Sequence, residues 1–152
     1  MKVTPTVIAV CAAALICSTV LAGRANYQDA RKTNEFTGVN WENAMANLDS
    51  FTIEMQNVPQ GYGVVFVYGG QARRPNEADA FLKCMKDYLV MRRRVDVNRL
   101  IFVNGGYRDN VSVEFWLVRD RADAPKPSPT IKPAAVKFKG RRITKWRGLC
   151  SL

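Results

Sequence analysis

The chain has 152 residues, enough for one domain with additional segments at its ends, and it carries 23 lysines and arginines against 13 aspartates and glutamates. It contains no histidine, which excludes Ser-His-Asp and Cys-His catalytic arrangements, histidine general bases and imidazole metal ligands. Residues 23–119 hold 13 basic and 11 acidic side chains, whereas residues 120–152 hold 9 basic and 2 acidic ones. The excess positive charge therefore belongs to the C-terminal segment.

Residues 1–22 have the three parts of a secretory signal peptide. Lys2 supplies the basic start, residues 7–21 are mostly apolar and contain no charged side chain, and Ala22 is a small residue at the predicted cleavage position. The alternative, an uncleaved membrane anchor, requires about 20 apolar residues, and this stretch has only about 15. We therefore predict an exported protein of the periplasm or cell envelope that is cleaved near Ala22.

Cleavage at that position leaves two cysteines, Cys84 and Cys150. An even number of cysteines in an exported protein permits a disulfide, and this one would attach the C-terminus to the domain. The alternative is that Cys84 is a small buried apolar residue and Cys150 is a free thiol. The spacing of two cysteines does not decide between them.

The first part of the exported chain is polar. We expect residues 23–40 to form an exposed lead-in segment. Asn40 is the predicted cap of a short helix through Leu48, because apolar residues follow it at helical spacing. Residues 51–56 alternate between apolar and polar side chains, which predicts a half-buried strand.

Four further elements follow. Residues 63–68 form a continuous β-branched and aromatic run, typical of a buried strand. Asn76 is the predicted cap of a helix whose apolar stripe comprises Ala78, Phe81, Leu82, Met85 and Leu89, and the arginines at 92–94 are expected to complement the dipole of its last turn. Residues 100–103 and 111–118 are the last two predicted strands.

The predicted order is β-β-α-β-β, with a short helix in front. It predicts an α+β fold in residues 41–119: a mixed sheet of about four strands with the main helix packed on one face. Residues 120–152 begin with a proline-rich linker and continue as an extended basic tail.

Two predicted strands end in glycine pairs, Gly69-Gly70 and Gly105-Gly106. Parallel strands would bring both pairs to one edge of the sheet, where ligands commonly bind. The candidate ligand-binding side chains near them are Arg73, Arg74, Tyr107, Arg108 and Asp109. The alternative is that the glycines only permit tight turns.

The tail is a second candidate site, because its cations alternate with apolar side chains. The candidate residues are Lys137, Lys139, Arg141, Arg142, Lys145, Trp146 and Arg147. Export argues against nucleic acid as the partner and favours an envelope protein, an anionic glycan or an anionic membrane surface. The alternative is a solvated tail, ordered only where it contacts the domain.

Residues 48–118 resemble an OmpA C-terminal-like domain, the envelope module that associates with peptidoglycan. The resemblance is carried by the strand at residues 64–68, the Asp87-Tyr88-Leu89 helix end, Arg99-Leu100-Ile101, the Gly105-Gly106 turn and the last strand. In that family an aspartate after the first of these strands and an arginine in the helix hold the diaminopimelate of the cell wall. The matching positions here are Gly70 and Phe81.

The resemblance therefore implies an OmpA-like fold that has lost its cell-wall ligand pair. We expect a non-enzymatic structural or partner-binding protein that needs no cofactor and no metal. One alternative is a cell-wall binder that uses the loop arginines instead. An enzyme would require carboxylates such as Glu54, Asp109 and Glu114 to converge in a cleft.

Overall fold

The computed structural model describes residues 30–145 and Cys150; the predicted signal peptide, Trp146 and Arg147 lie outside the described residues. A turn of π-helix at Tyr88–Arg92 continues the second helix, and short 3-10 turns occur at Val97–Arg99 and Pro133–Ala135. The main elements are β1 (Ala30–Thr37), α1 (Trp41–Gln56), β2 (Tyr62–Gly70), α2 (Glu77–Asp87), β3 (Leu100–Arg108) and β4 (Ser112–Val118).

The four strands form one mixed sheet in the order β1-β4-β2-β3. β2 and β3 are parallel, as the helical crossover between them requires, and β4 is antiparallel to both of its neighbours. These observations confirm the predicted α+β fold. The order along the chain is β-α-β-α-β-β, and it differs from the predicted order because two assignments before β2 were wrong.

Residues 51–56 belong to helix α1 and not to a strand. Their alternation is real, but Leu48, Phe51 and Met55 are also spaced three and four residues apart, and this helical face is buried against the sheet. Ile53, which a strand would place beside Phe51, is 60% exposed. The predicted cap is confirmed, since the Asn40 side chain accepts a hydrogen bond of 2.8 Å from the Asn43 N–H.

The expectation of an exposed lead-in was wrong for residues 30–37, which form the edge strand β1 against β4. Its side chains are polar because an edge strand faces solvent along one side. Two contacts fix it: Arg31 forms an ion pair of 2.7 Å with Glu54 of α1, and the Phe36 ring lies 5.9 Å from the Phe115 ring.

Helix α2 presents the predicted apolar stripe to the sheet, and all five of its predicted members are buried. Asn76 occupies the predicted cap position, but its side chain does not cap the helix. Asn76 has a φ of 67° and its side chain makes no capping hydrogen bond. Asparagine tolerates this left-handed conformation, and its Nδ2 donates instead to the Ile143 carbonyl at 3.1 Å.

The two faces of the sheet have different coverings. Both helices pack on one face, against a core that includes Val65, Val67, Val113 and Phe115. The opposite face carries a smaller buried cluster of Val64, Phe66, Tyr68 and Val118, against which Trp116 and Ala122 pack. The second face is therefore covered partly by chain that follows β4.

The second glycine pair lies inside a strand, whereas we predicted that it would end one. β3 continues through Gly105 and Gly106 to Arg108, with a shift of register opposite β2 between Val67 and Gly69. Gly106 has a φ of +90°, and a Cβ on Gly105 would lie 2.4–2.8 Å from the Tyr68 ring. The pair thus forms a bulge that re-aims the end of β3.

Residues 120–145, here called the strap, return across the second face and pass around the carboxyl ends of β2 and β3. The Ser128 N–H donates to the Tyr68 hydroxyl at 3.0 Å, and Ile131 pairs with Tyr107 as an isolated bridge. Farther on, the Lys137 N–H donates to the Gln71 carbonyl at 3.0 Å. The predicted extended tail is therefore hydrogen-bonded to the domain at several points between residues 128 and 143.

Beyond the strap, a disulfide joins Cys150 to Cys84 of α2; their Cα atoms are 6.0 Å apart and both side chains are buried. The candidate bridge is thus confirmed. It closes a loop with a sequence separation of 66 residues. Ile143, which is 4% exposed, provides an apolar anchor shortly before it.

Because residues 51–56 are helical, truncating Phe51 and truncating Ile53 should change the free energy of unfolding by different amounts. Phe51→Ala should lower the free energy of unfolding by about 3–5 kcal/mol, because it opens a cavity in the core. Ile53→Ala should change it by less than about 0.5 kcal/mol, because that side chain is largely in water. Urea denaturation measures both values, and comparable losses of stability would indicate that residues 51–56 form a strand.

The disulfide predicts a large loss of stability without it. The Cys84→Ala/Cys150→Ala variant should lose roughly 4 kcal/mol, because the unfolded chain regains the freedom of a long loop. Urea denaturation with and without reductant provides the measurement. The reduced native protein should have about the same urea midpoint as the variant. If the oxidised native protein also has the midpoint of the variant, the prediction is contradicted.

Candidate functional site

The carboxyl ends of β2 and β3 meet at one edge of the sheet, here called the rim and comprising residues 69–76 and 104–109. In the parallel pairing, Gly69 lies opposite Tyr107 and Gly70 opposite Arg108. The predicted proximity of the two glycine-bearing segments is therefore confirmed. The amino end of α2 opens onto the same edge, so that its unpaired N–H groups add positive potential there.

The rim contains a cavity of about 230 Å³ between the end of β2, the start of α2, β3 and the strap. Its lining combines small residues of β2 with two long side chains of the strap, Phe138 and Arg142. It is lined by Gly69, Gly70, Arg74, Pro75, Asn76, Glu77, Ala78, Asp79, Asn104, Tyr107, Phe138 and Arg142.

Arg73 does not project into this cavity but supports its wall. Its guanidinium donates to both carboxylate oxygens of Glu77, at 3.1 and 2.9 Å. Glu77 is only 4% exposed. The hydrogen bonds and charge of Glu77 raise the pKa of Arg73. Arg73 therefore neutralises a buried carboxylate, and its removal would leave that carboxylate unpaired.

Arg74 and Tyr107 do line the cavity, and both contact the strap. The Arg74 Nε donates to the Arg141 carbonyl at 3.0 Å. The Tyr107 ring packs edge-on against Phe138, with centroids 5.8 Å apart. Beside the cavity, the strap is thus attached to two of the residues singled out from sequence.

The cavity carries charges of both signs. Arg74 and Arg142 supply cations, and Asp79 supplies a carboxylate whose Oδ1 accepts a hydrogen bond of 2.8 Å from Asn104. Sequence reasoning overlooked Asp79 and Asn104. The available signals were the acidic first turn of α2 and the polar residue before the second glycine pair. The lining can hold a carboxylate at the arginines and an ammonium group at Asp79.

Arg108 lies on the other face of the sheet, away from the cavity. Its guanidinium lies 3.6 Å from the centre of the Tyr68 ring and donates to Glu114 at 2.6 Å. It also donates to Glu35 at 2.7 Å and to the Ser128 hydroxyl at 2.7 Å. Asp109 stays exposed at the rim. The five candidate residues are therefore divided between two faces.

Glu114 is 1% exposed and accepts hydrogen bonds from four side chains. The donors are Lys32 at 3.0 Å, Arg108 at 2.6 Å, Trp116 at 3.0 Å and the Tyr68 hydroxyl at 3.2 Å. Burial alone would raise the pKa of Glu114, but the hydrogen bonds from Trp116, Arg108 and Lys32 and the charge of Arg108 lower it below its ordinary value. The carboxylate is therefore ionised and fully engaged.

The three carboxylates weighed for catalysis do not converge. Glu54 pairs with Arg31 on the helix side, Glu114 is enclosed on the opposite face, and Asp109 is exposed at the rim. The set named from sequence is thus spread over three environments.

The strap cations share one exposed stretch, and residues 146–147 lie outside the described residues. Within residues 30–145, none of the side chains of these five forms an ion pair: Lys137, Lys139, Arg141, Arg142 and Lys145. Their backbone is nevertheless fixed, since the Lys139 N–H donates to the Arg73 carbonyl at 3.0 Å. The strap thus presents positive charge from a held backbone.

The described residues contain neither a metal-binding cluster nor a membrane-spanning helix. No group of three or more Cys, Asp or Glu side chains there is arranged to hold a metal ion. No helix in residues 30–145 has both the length and the apolar character needed to span a bilayer. Comparisons of the chain with protein-family models, curated proteins and solved structures find no match.

The Glu114 network predicts a stability that depends on pH. Because the folded-state pKa is lowered, the contribution of this carboxylate is fully present above its unfolded value and is lost as pH falls through the folded value. Glu114→Gln should cost about 3 kcal/mol near neutral pH, since Lys32 and Arg108 lose their shared partner.

The measurement is urea denaturation of both proteins from about pH 7 to pH 3. The stability difference between native protein and variant should shrink as the acid range is entered. A difference that stays constant over that range would show that Glu114 is not the titrating group.

Proposed function

We propose that this chain is an exported, non-enzymatic binding module of the cell envelope, an OmpA-like domain whose recognition surface is the rim cavity and the strap cations Lys137, Lys139, Arg141, Arg142 and Lys145. The partner is an anionic envelope polymer, and a carboxylated glycan fits the chemistry best. One observation carries the proposal. The strap is hydrogen-bonded across the rim and closed by the Cys84–Cys150 disulfide, so its cations are held beside a cavity.

Preorganisation is the physical reason that this arrangement favours binding. A free basic tail would lose conformational freedom when it binds, whereas the strap backbone is already ordered by contacts such as Lys139 to Arg73. Its cations need no existing ion pair within residues 30–145 to be broken. An array of fixed, exposed cations attracts a polymer with repeated carboxylates.

Export is supported by the disulfide, because such bridges persist in oxidising compartments. The predicted signal peptide at residues 1–22 is consistent with this location.

The position of the lost ligand pair supports a partner other than the diaminopimelate of the family. A Cβ on Gly70 would lie 2.5 Å from the Arg73 Cγ and 3.1 Å from the Val111 N, so an aspartate does not fit without displacement. Phe81, at the position of the family's arginine, is 5% exposed and belongs to the core. The first position is therefore too crowded for the family's aspartate, and the second is an apolar core position that disfavours the family's arginine.

A second candidate is cell-wall peptide binding by a different set of residues. The observation that favours it is the mixed charge of the cavity, with Arg74 and Arg142 facing the same space as Asp79. A terminal amino acid of the wall peptide carries a carboxylate and an ammonium group, which match these charges.

Two triple variants distinguish binding of a carboxylated glycan from binding of a cell-wall peptide. Lys137→Gln/Lys139→Gln/Arg141→Gln should weaken binding to a uronic-acid polymer by roughly tenfold, because three exposed cations are removed. Arg74→Gln/Arg142→Gln/Asp79→Asn should abolish sedimentation with purified peptidoglycan if the second candidate holds. Fluorescence titration and co-sedimentation are the respective measurements.

The matched control is Lys83→Gln/Lys86→Gln, which removes two exposed cations from α2. It should leave both activities within about twofold of the native protein. If this control weakens binding to the uronic-acid polymer as much as the strap variant does, general charge attraction explains the binding and the rim proposal is wrong.

A further inference from the structure

A second groove lies between α1 and the turn that follows α2, with a volume of about 430 Å³. We call it the arginine groove. The sequence favoured a helix-dipole role for its three consecutive arginines over a binding patch. It is lined by Asp49, Thr52, Ile53, Gln56, Arg92, Arg93 and Arg94.

Arg93 is built into the wall of this groove. Its guanidinium contacts both oxygens of Asp49 and donates to the Tyr88 hydroxyl at 2.7 Å. It also lies 5.1 Å from the centre of the Tyr88 ring, and Tyr88 donates to Asp49 at 2.8 Å. Asp49 therefore neutralises Arg93, and the other two arginines determine the charge of the groove.

Arg92 and Arg94 are exposed, and within residues 30–145 neither forms an ion pair. Arg94 has a φ of 54°, a left-handed conformation that is unfavourable for a side chain with a Cβ. Glycine or asparagine would hold this turn with less strain. Strained positions of this kind cluster at functional sites, and here the strain retains a cation.

Exposed apolar side chains accompany these cations. Ile53, at 60% exposed, lines the groove, and Met91, at 72% exposed, immediately precedes Arg92 in the same turn. These are the two most exposed large apolar side chains among the described residues. They project from two different elements, α1 and the turn that follows α2.

We propose that the arginine groove docks on an anionic phospholipid surface. Arg92 and Arg94 reach the headgroup phosphates, while Ile53 and Met91 enter the boundary between headgroups and acyl chains. Cations combined with single protruding apolar side chains are the combination that binds such surfaces. The charge of the groove complements an anionic leaflet.

This inference is independent of the rim. Helix α2 begins at the rim and ends at the turn that carries Arg92 and Arg94, so the two sites occupy opposite ends of that helix. A module attached to a bilayer at the groove keeps its rim available for another partner.

The test is vesicle co-sedimentation of the exported chain with its disulfide formed. The vesicles contain phosphatidylcholine with about a third phosphatidylglycerol, near the charge of a natural anionic leaflet. Arg92→Gln/Arg94→Asn should lower the partition coefficient roughly 25-fold, about fivefold per arginine. Ile53→Gln/Met91→Gln should lower it roughly tenfold through lost apolar burial.

Matched controls use exposed positions outside the groove. Lys126→Gln/Lys132→Gln removes two cations from the strap, and Ile101→Gln removes a 43% exposed apolar side chain from β3. Each should change partitioning less than about twofold, because charges far from the docked face are screened. Equal losses in the arginine and lysine variants would overturn the proposal.

Soluble polyglutamate distinguishes a membrane from an acidic protein. If the arginine variant loses polyglutamate binding while the Ile53/Met91 variant retains full vesicle binding, the groove recognises acidic polypeptide and the membrane proposal is wrong. No variant should have a lower urea midpoint than the native protein, since every substituted side chain is exposed and asparagine relieves backbone strain at residue 94.

Discussion

The buried carboxylate of Glu114 connects the strands of the sheet to the strap. It receives donors from β1 through Lys32, from β3 through Arg108, and from β2 through the Tyr68 hydroxyl. A carboxylate at 1% exposure is costly unless it is paired and hydrogen-bonded. The same Arg108 guanidinium also holds Ser128, so the requirement of one buried charge determines where the strap begins its return path.

The strap returns across the second face of the sheet. This path explains why that face is apolar at its centre and polar at its edge. Val64 and Phe66 are buried on that face, although no helix covers them. Trp116 and Ala122 pack against the same cluster. Once Ser128 is bound to Tyr68, the following residues can reach the rim only by passing around the carboxyl ends of β2 and β3. The rim cavity is a consequence of that route.

Elements with a single, unambiguous periodicity were predictable from sequence. β2, α2 and β4 each have a long apolar run, stripe or alternation, and each appears where it was expected. Residues 51–56 satisfied two periods at once, and burial of Leu48 beside Phe51 decides for the helix. That preference depends on contacts with the sheet, which the local sequence does not contain.

β1 could not be recognised because its stability comes from distant residues. Its polar side chains reach Glu54 and Glu114, which lie 23 and 82 positions farther along the chain from Arg31 and Lys32. Without those partners the segment has the composition of an exposed lead-in. Edge strands of this kind are specified by their neighbours more than by their own propensity.

The position of the candidate site was predictable from the sequence, but the residues that line it were not. Parallel pairing of β2 with β3 follows from the crossover helix, and it brings the two glycine-bearing segments together. Arg73 and Arg108 were indistinguishable from Arg74 in sequence, yet each is committed to a buried glutamate. Which arginines are engaged depends on which carboxylates are buried and desolvated, and that burial is determined by the whole fold.

The crossover connection also has a consequence for the distribution of charge. Because α2 must travel from the carboxyl end of β2 to the amino end of β3, its first residues lie at the rim and its last turn lies far from it. The strap adds cations at the first end, and residues 92–94 add cations at the other. Pairing with Asp49 engages only Arg93 of that run. Folding therefore places the exposed cations on two separate surfaces, one at each end of helix α2.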